Sequence, residues 1–214
     1  MHNLDAGIGG NFPAIELPPP RFDDLAALRD AFRLRRTEQR FSARALEPQI
    51  LSDLLWAACG VQPGTPESRG YGGDASASNA QEIDVFVAME QGLYLYDPER
   101  GRLAPVLIGD LRGAAAAPWL PRSGDQAPVR LIYVADCDRL VLPHATVAAG
   151  ADPETLRAYC HVDCGIIAAN VYLFAAAAGL NAWFHECDRP FLAKRLPLRA
   201  GRRVLFAQTV GYPN

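Results

Sequence analysis

From Gly165 to Leu180 the chain holds only apolar, aromatic or small residues apart from Asn170. A stretch of that kind must be buried, and it falls about four residues short of a typical membrane-spanning helix. It is therefore read as the inner part of a core helix. Pro153 suits a first helical turn and Gly179 suits a stop, so the helix is expected from about Pro153 to Ala178. A helix this long and apolar needs a broad surface to lie on.

That surface is supplied by strand-like runs. Residues 83–89, 93–96, 129–135, 182–185 and 204–210 are rich in β-branched and aromatic side chains, and Gln91-Gly92 offers a tight connection between the first two. Further helices are expected. One follows Asp23-Asp24, with Leu25, Leu28 and Phe32 at helical spacing to about Arg35. Others run from Pro48 to Gly60, over 109–117 as a short piece, and from Arg189 to Leu196. Residues 61–75 and 118–127 read as glycine- and proline-rich loops. The fold class is α+β, a central and mostly antiparallel sheet flanked by helices. Residues 1–22, ending near Pro18-Pro19-Pro20, read as an extended arm, and 23–214 as one domain.

The formal net charge of −3 gives no bulk attraction to nucleic acid or anionic membrane. Positive charge is almost all arginine, with Lys194 the sole lysine. Residues 1–20 lack the basic start and apolar core of a signal peptide, and five cysteines make an odd number. Both point to reduced thiols in the cytoplasm. Neither Gly-x-Ser-x-Gly nor Gly-x-Gly-x-x-Gly is found, so neither a nucleophile elbow nor a dinucleotide fingerprint is available.

Two polar clusters remain. Arg35-Arg36-Thr37-Glu38-Gln39-Arg40-Phe41 begins where the first helix ends. Its guanidiniums and hydroxyl can bind a phosphate by charge-assisted hydrogen bonds, or can simply complement a helix C-terminus. Asp74-Ala75-Ser76-Ala77-Ser78-Asn79-Ala80-Gln81-Glu82 precedes the first strand. Its short polar groups can approach a planar, hydrogen-bonding ligand, or can cap local structure.

In this order and spacing the two clusters resemble motifs of the nitroreductase family of FMN-dependent oxidoreductases, in a short bacterial subgroup similar to the SagB-type proteins. The family's Arg-Arg-Ser-x-Arg-x-Phe is similar to residues 35–41, and its Pro-Ser-Ala-x-Asn-x-Gln to residues 75–81. Asn79 to Asp84, Gly92-Leu93-Tyr94-Leu95-Tyr96-Asp97, Asn170-Val171-Tyr172-Leu173-Phe174, Gly179-Leu180 and the closing Ala207 to Pro213 extend the likeness. The resemblance implies a nitroreductase-like fold and a homodimer with FMN at the interface. It implies that Arg35, Arg36, Thr37 and Gln39 of one subunit hold phosphate, ribityl and pyrimidine groups. It places Ala75, Ser76, Ala77 and Asn79 of the other across the flavin, and Phe184, His185 and Glu186, with Cys187, beside the ring. No side chain is expected to carry the chemistry, which would pass through flavin N5. NADH or NADPH would be the transient donor, and a nitroaromatic, quinone or other electron-poor small molecule the acceptor.

Three departures from the family pattern bear on this. Gln39 stands where relatives carry a cation, so a lower flavin reduction potential is expected; Arg40 and Arg69 are other candidate cations. Relatives have a basic pair beyond Gly-Tyr-Pro, so the phosphate is expected to rely on Arg35 and Arg36 or on Arg202-Arg203. Ala75 replaces a proline, which removes no ligand group. Alternative readings are a flavin-dependent dehydrogenase of peptide azolines and a non-catalytic flavin-binding protein. Cys160, Cys164, His185 and Cys187 suggest a metal site, but small thiols four apart on a helix also serve as core filler, and no metal is expected.

Overall fold

The computed structural model describes residues 25–60, 76, 80–116, 127–141 and 151–214. The expected arm over 1–22 lies outside them. Four helices are present, α1 (Ala26–Leu34), α2 (Pro48–Cys59), α3 (Pro153–Ala177) and α4 (Arg189–Arg195). Six strands accompany them, β1 (Ile83–Met89), β2 (Gly92–Asp97), β3 (Arg102–Ile108), β4 (Val129–Asp136), β5 (Asn181–His185) and β6 (Arg202–Gly211). They form one sheet in the order β3-β2-β1-β4-β6-β5, antiparallel at every pairing. The α+β class is as expected, with the antiparallel character complete.

The period-2 pattern of the central strands explains how the sheet is covered. Val85 and Val87 of β1 and Leu131 and Tyr133 of β4 point to one face. There they meet Leu54, Leu55 and Ala58 of α2 and Cys160, Cys164, Ile167, Val171 and Ala175 of α3. Phe86, Ala88, Ile132 and Val134 point to the other face, against Leu192 and Leu196 around α4. Both faces are buried, so these strands read as continuous apolar runs.

Helix α3 is fixed at both ends. The Asp152 carboxylate accepts hydrogen bonds from the Glu154 and Thr155 backbone N–H groups, and Pro153 fills the first turn. Gly179 ends it at φ +68°, a left-handed conformation that side chains with a Cβ resist. By length and composition alone α3 could cross a membrane. In the fold one of its faces packs on the sheet, with the carboxyl of Asp163 fully buried there.

Two expectations are corrected. Strand β3 was not among the expected strands, and it carries Pro105, which removes a ladder donor. The strand survives because it lies at the edge of the sheet, where that loss is tolerated, beside a register shift between Leu93 and Tyr94. Over 109–116, the described part of the expected short helix, the chain makes turns. Ala114 and Ala115 N–H groups reach back to Leu111 and Arg112, and the buried Arg130 guanidinium donates to the Arg112 carbonyl.

Candidate functional site

After α1 the chain leaves helical geometry at Arg35 and runs extended along the open edge of β5. Two hydrogen bonds to its backbone fix this track. The Glu38 N–H donates to the Ala182 carbonyl at 3.1 Å, and the Asn181 side-chain amide donates to the Arg40 carbonyl at 2.8 Å. Phe41, buried with Ala127 and Trp183, anchors the far end.

Tyr172 of α3 organises the near end. Its hydroxyl accepts the Phe184 N–H at 2.8 Å and shares a 3.1 Å hydrogen bond with the Thr37 hydroxyl. The Arg35 guanidinium lies 5.8 Å from the centre of its ring. Sequence reasoning noted Tyr172 only as part of a matching segment. An aromatic with a polar tip on an otherwise apolar helix was the signal available.

Alternate residues of an extended segment face opposite ways, and this separates the two arginines. Arg36, Glu38 and Arg40 line a groove of about 340 Å3 closed by Tyr172, Ala175, Asn181 and Asn214. Arg35, Thr37 and Gln39 do not line it. Arg40 thus shares a side with Arg36 and not with Gln39.

In the second cluster Ser76 lies within the described residues, whereas Ala75, Ala77 and Asn79 lie outside them, as does Arg69. The Ser76 hydroxyl accepts the N–H groups of Ala80 and Gln81 at 3.0 and 3.1 Å and donates to the Glu82 carboxyl at 3.2 Å. It shapes the loop from within. Gln81 closes the turn at φ +52°, and its buried amide nitrogen has no partner among the described residues. Glu82 is fully buried and pushed up to about 7, first by desolvation and then by its hydrogen bond to the Asp163 carboxyl. Sequence reasoning had no signal for this pairing, because Glu82 and Asp163 are far apart in the chain.

Of residues 184–186, two are turned inward. The Phe184 ring packs against Phe206 and Tyr133, with centroids at 4.9 and 6.1 Å, and its N–H is held by Tyr172. His185 is buried beside Trp183. Its Nδ1–H donates to the Glu186 carbonyl at 2.7 Å and its Nε2 accepts from the Thr209 hydroxyl at 2.8 Å. Desolvation pushes His185 down to about 4, so the ring is neutral. Glu186 is exposed, 3.8 Å from Arg189.

Arg202 is not available as a phosphate ligand. It pairs with Asp84 at 3.1 Å and Asp136 at 3.0 Å. It also lies at the opposite end of β6 from Val210 and Gly211, which pair with Ala182 and Asn181. Arg139 braces the same acidic pair, donating to Asp84 at 2.9 Å and to the Gln81 carbonyl at 2.6 Å. Among the described residues no group of three metal-type ligands converges.

The donor set beside Tyr172 fits a phosphate-bearing flavin. An exposed guanidinium, hydroxyl and amide follow one another at Arg35, Thr37 and Gln39.

The model of the nitroreductase family matches residues 33–212, so the chain belongs to the nitroreductase family. Its members are oxidoreductases that generally bind FMN, draw electrons from NAD(P)H and are typically dimers. A Methanocaldococcus jannaschii protein provisionally named a nitroreductase is 27% identical over 174 residues, 78% of this chain and 81% of its own. A crystal structure of a Ralstonia eutropha protein, likewise provisionally named, is 29% identical with a TM-score of 0.74. The match covers 92% of this chain and 88% of that one. A chain of the E. coli microcin synthetase McbBCD complex shares the fold at 16% identity and TM-score 0.68, over 99% of this chain and 79% of its own.

Proposed function

We propose that the protein is a cytoplasmic, homodimeric oxidoreductase that binds FMN between its subunits. It would use NADH or NADPH to reduce nitroaromatics, quinones or similar electron-poor small molecules in a ping-pong cycle. The observation that carries this reading is the fixed exposure of Arg35, Thr37 and Gln39 along the edge of β5, in a chain whose family membership spans 33–212. When bound, FMN supplies two-electron hydride acceptance and release at N5.

The chain's own residues hold and orient. Arg35, set against Tyr172, supplies positive charge for the phosphate. Thr37, its hydroxyl aligned by Tyr172, offers a directed hydrogen bond to the ribityl chain. Gln39 offers a neutral amide where the ring carbonyls gather negative charge on reduction. Ser76 holds the turn at Ala80 and Gln81, and Ala75, Ala77 and Asn79 would meet the flavin from the second subunit. The buried, bonded His185 and the inward Phe184 give the ring side a rigid wall, with the Glu186 backbone at its rim.

Dimerisation is supported by apolar side chains that a lone chain leaves in water. Leu28 and Phe32 of α1, Trp56 of α2, and Val162 and Ile166 of α3 are all exposed.

The purified protein is expected to be yellow, to bleach with NADH or NADPH in the absence of oxygen, and to recolour with a quinone or nitroaromatic. A preparation that stays colourless after added FMN overturns the reading. Bleaching by a peptide azoline but not by NAD(P)H would instead assign the oxidative chemistry. Tight flavin with no turnover would assign a binding protein.

A further inference from the structure

The start of the short 3-10 turn Cys137–Val141 brings the Cys137 sulfur to 3.3 Å from the Cys160 sulfur of α3. No cysteine is in a disulfide in this structure. Cys137 is partly exposed and Cys160 is buried. We infer that Cys137 and Cys160 form a reversible intramolecular disulfide, with Cys137 the sulfur attacked by a hydroperoxide and Cys160 the sulfur that resolves it.

The chemistry divides by accessibility. The Cys137 thiolate attacks one peroxide oxygen, the O–O bond breaks, and Cys137 becomes a sulfenic acid while hydroxide takes up a proton to leave as water. The Cys160 sulfur then attacks the Cys137 sulfur. The S–O bond breaks, and the hydroxyl departs as a second water with the Cys160 proton. Two thiols and one hydrogen peroxide thus give one disulfide and two waters. Burial keeps the Cys160 sulfur out of direct reach of oxidant, so it meets the Cys137 sulfur first. The sulfurs need close only from contact to the roughly 2.05 Å of a disulfide.

The bond would have a structural consequence. Two residues beyond Cys137, Arg139 holds the Gln81 carbonyl and Asp84, directly after the Ser76 loop. Tying Cys137 to α3 therefore fixes the brace that positions that segment. The inference is independent of flavin and would stand in a colourless protein.

The test uses the full-length protein, reduced, desalted and treated with a small excess of hydrogen peroxide. The five cysteines should then react with three maleimides after denaturation, five less the two joined, and dithiothreitol should restore five. A non-reducing digest should contain the Cys137 peptide joined to the Cys160 peptide. In Cys160→Ser the reaction should stop at a sulfenic acid on Cys137 that dimedone captures. Five reactive thiols after peroxide, a cross-link through Cys59, Cys164 or Cys187, or a bond only between chains would each overturn the inference. The wild-type digest decides the matter even where a variant fails to fold.

Discussion

At the scale of single residues, Tyr172 connects more of the site than any predicted ligand. It is bonded to Thr37 and to the Phe184 backbone, and it carries Arg35 over its ring. Tyr172→Phe keeps the ring and removes the hydroxyl, so the Phe184 N–H loses its acceptor. We expect a loss of about 1–3 kcal/mol in urea denaturation and weaker FMN retention on gel filtration. An unchanged midpoint would show that water replaces the hydroxyl fully. Gln39 leads to a second expectation. Gln39→Arg places a full charge beside the proposed flavin site, and should raise the reduction potential of bound flavin by roughly 30 mV or more, equivalent to about 1.4 kcal/mol for two electrons. A potential that does not move in a dye-coupled titration would remove Gln39 from the flavin's surroundings. The motifs that carry Arg35, Thr37 and Ser76 were legible because they are local runs of polar side chains. The hub that positions Thr37 and Phe184 was not. Its two hydrogen bonds join α3 to residues 135 and 12 positions away.

At the scale of elements, α3 was the most legible part of the molecule. An apolar run, a Pro at the start and a Gly at the stop placed it within a residue of its observed ends. Its cap is a single carboxylate, so Asp152→Ala should cost about 1 kcal/mol, seen as a lower midpoint in thermal or urea unfolding with the flavin site intact. A loss several times larger would mean that Asp152 also holds the connection before it. Strand β3 was the least legible. Pro105 argues against a strand by local preference, and only its place at the sheet edge, a long-range fact, removes the objection. Over 109–116 the local alanines favour helix, yet the chain makes only turns, held by the Arg130 side chain, which donates to the Arg112 carbonyl beside the Ala115 N–H. In both cases a tertiary partner overrides the propensity of the segment.

At the scale of the whole molecule, two buried groups titrate in opposite senses across the same pH range. Glu82 is raised from 4.5 to about 7 in the folded chain, so folding takes up a proton there. Its contribution is full below 4.5 and is lost as pH rises through 7. His185 is lowered from 6.5 to about 4, so its contribution is full above 6.5 and is lost as pH falls through 4. Between 4.5 and 6.5 the two slopes oppose one another. Asp97, Asp110 and Asp152 are all lowered from 3.8 and act below that interval. The wild type should therefore show a nearly level urea midpoint from pH 4.5 to 6.5 and a decline towards 7. Glu82→Gln keeps the shape of the side chain without its charge. It should show a midpoint that rises from 4.5 to 6.5 and then stays level. It should be more stable than wild type near pH 8, by about 3 kcal/mol on the scale of 1.36 kcal/mol for each pKa unit between 4.5 and 7. Identical profiles for the two proteins would mean that Glu82 is ionised at all these pH values.

The sheet also limits how copies of this chain can meet. On one flank Pro105 leaves β3 without one of the donors that a seventh strand would require. On the other, Glu38 already occupies the Ala182 carbonyl of β5. Neither border is a free template for another backbone, so lateral growth into fibrils or ribbon-like dimers is disfavoured. Association is left to side chains on helices. A change that exposes either border, such as Pro105→Val, is where unwanted self-assembly would begin.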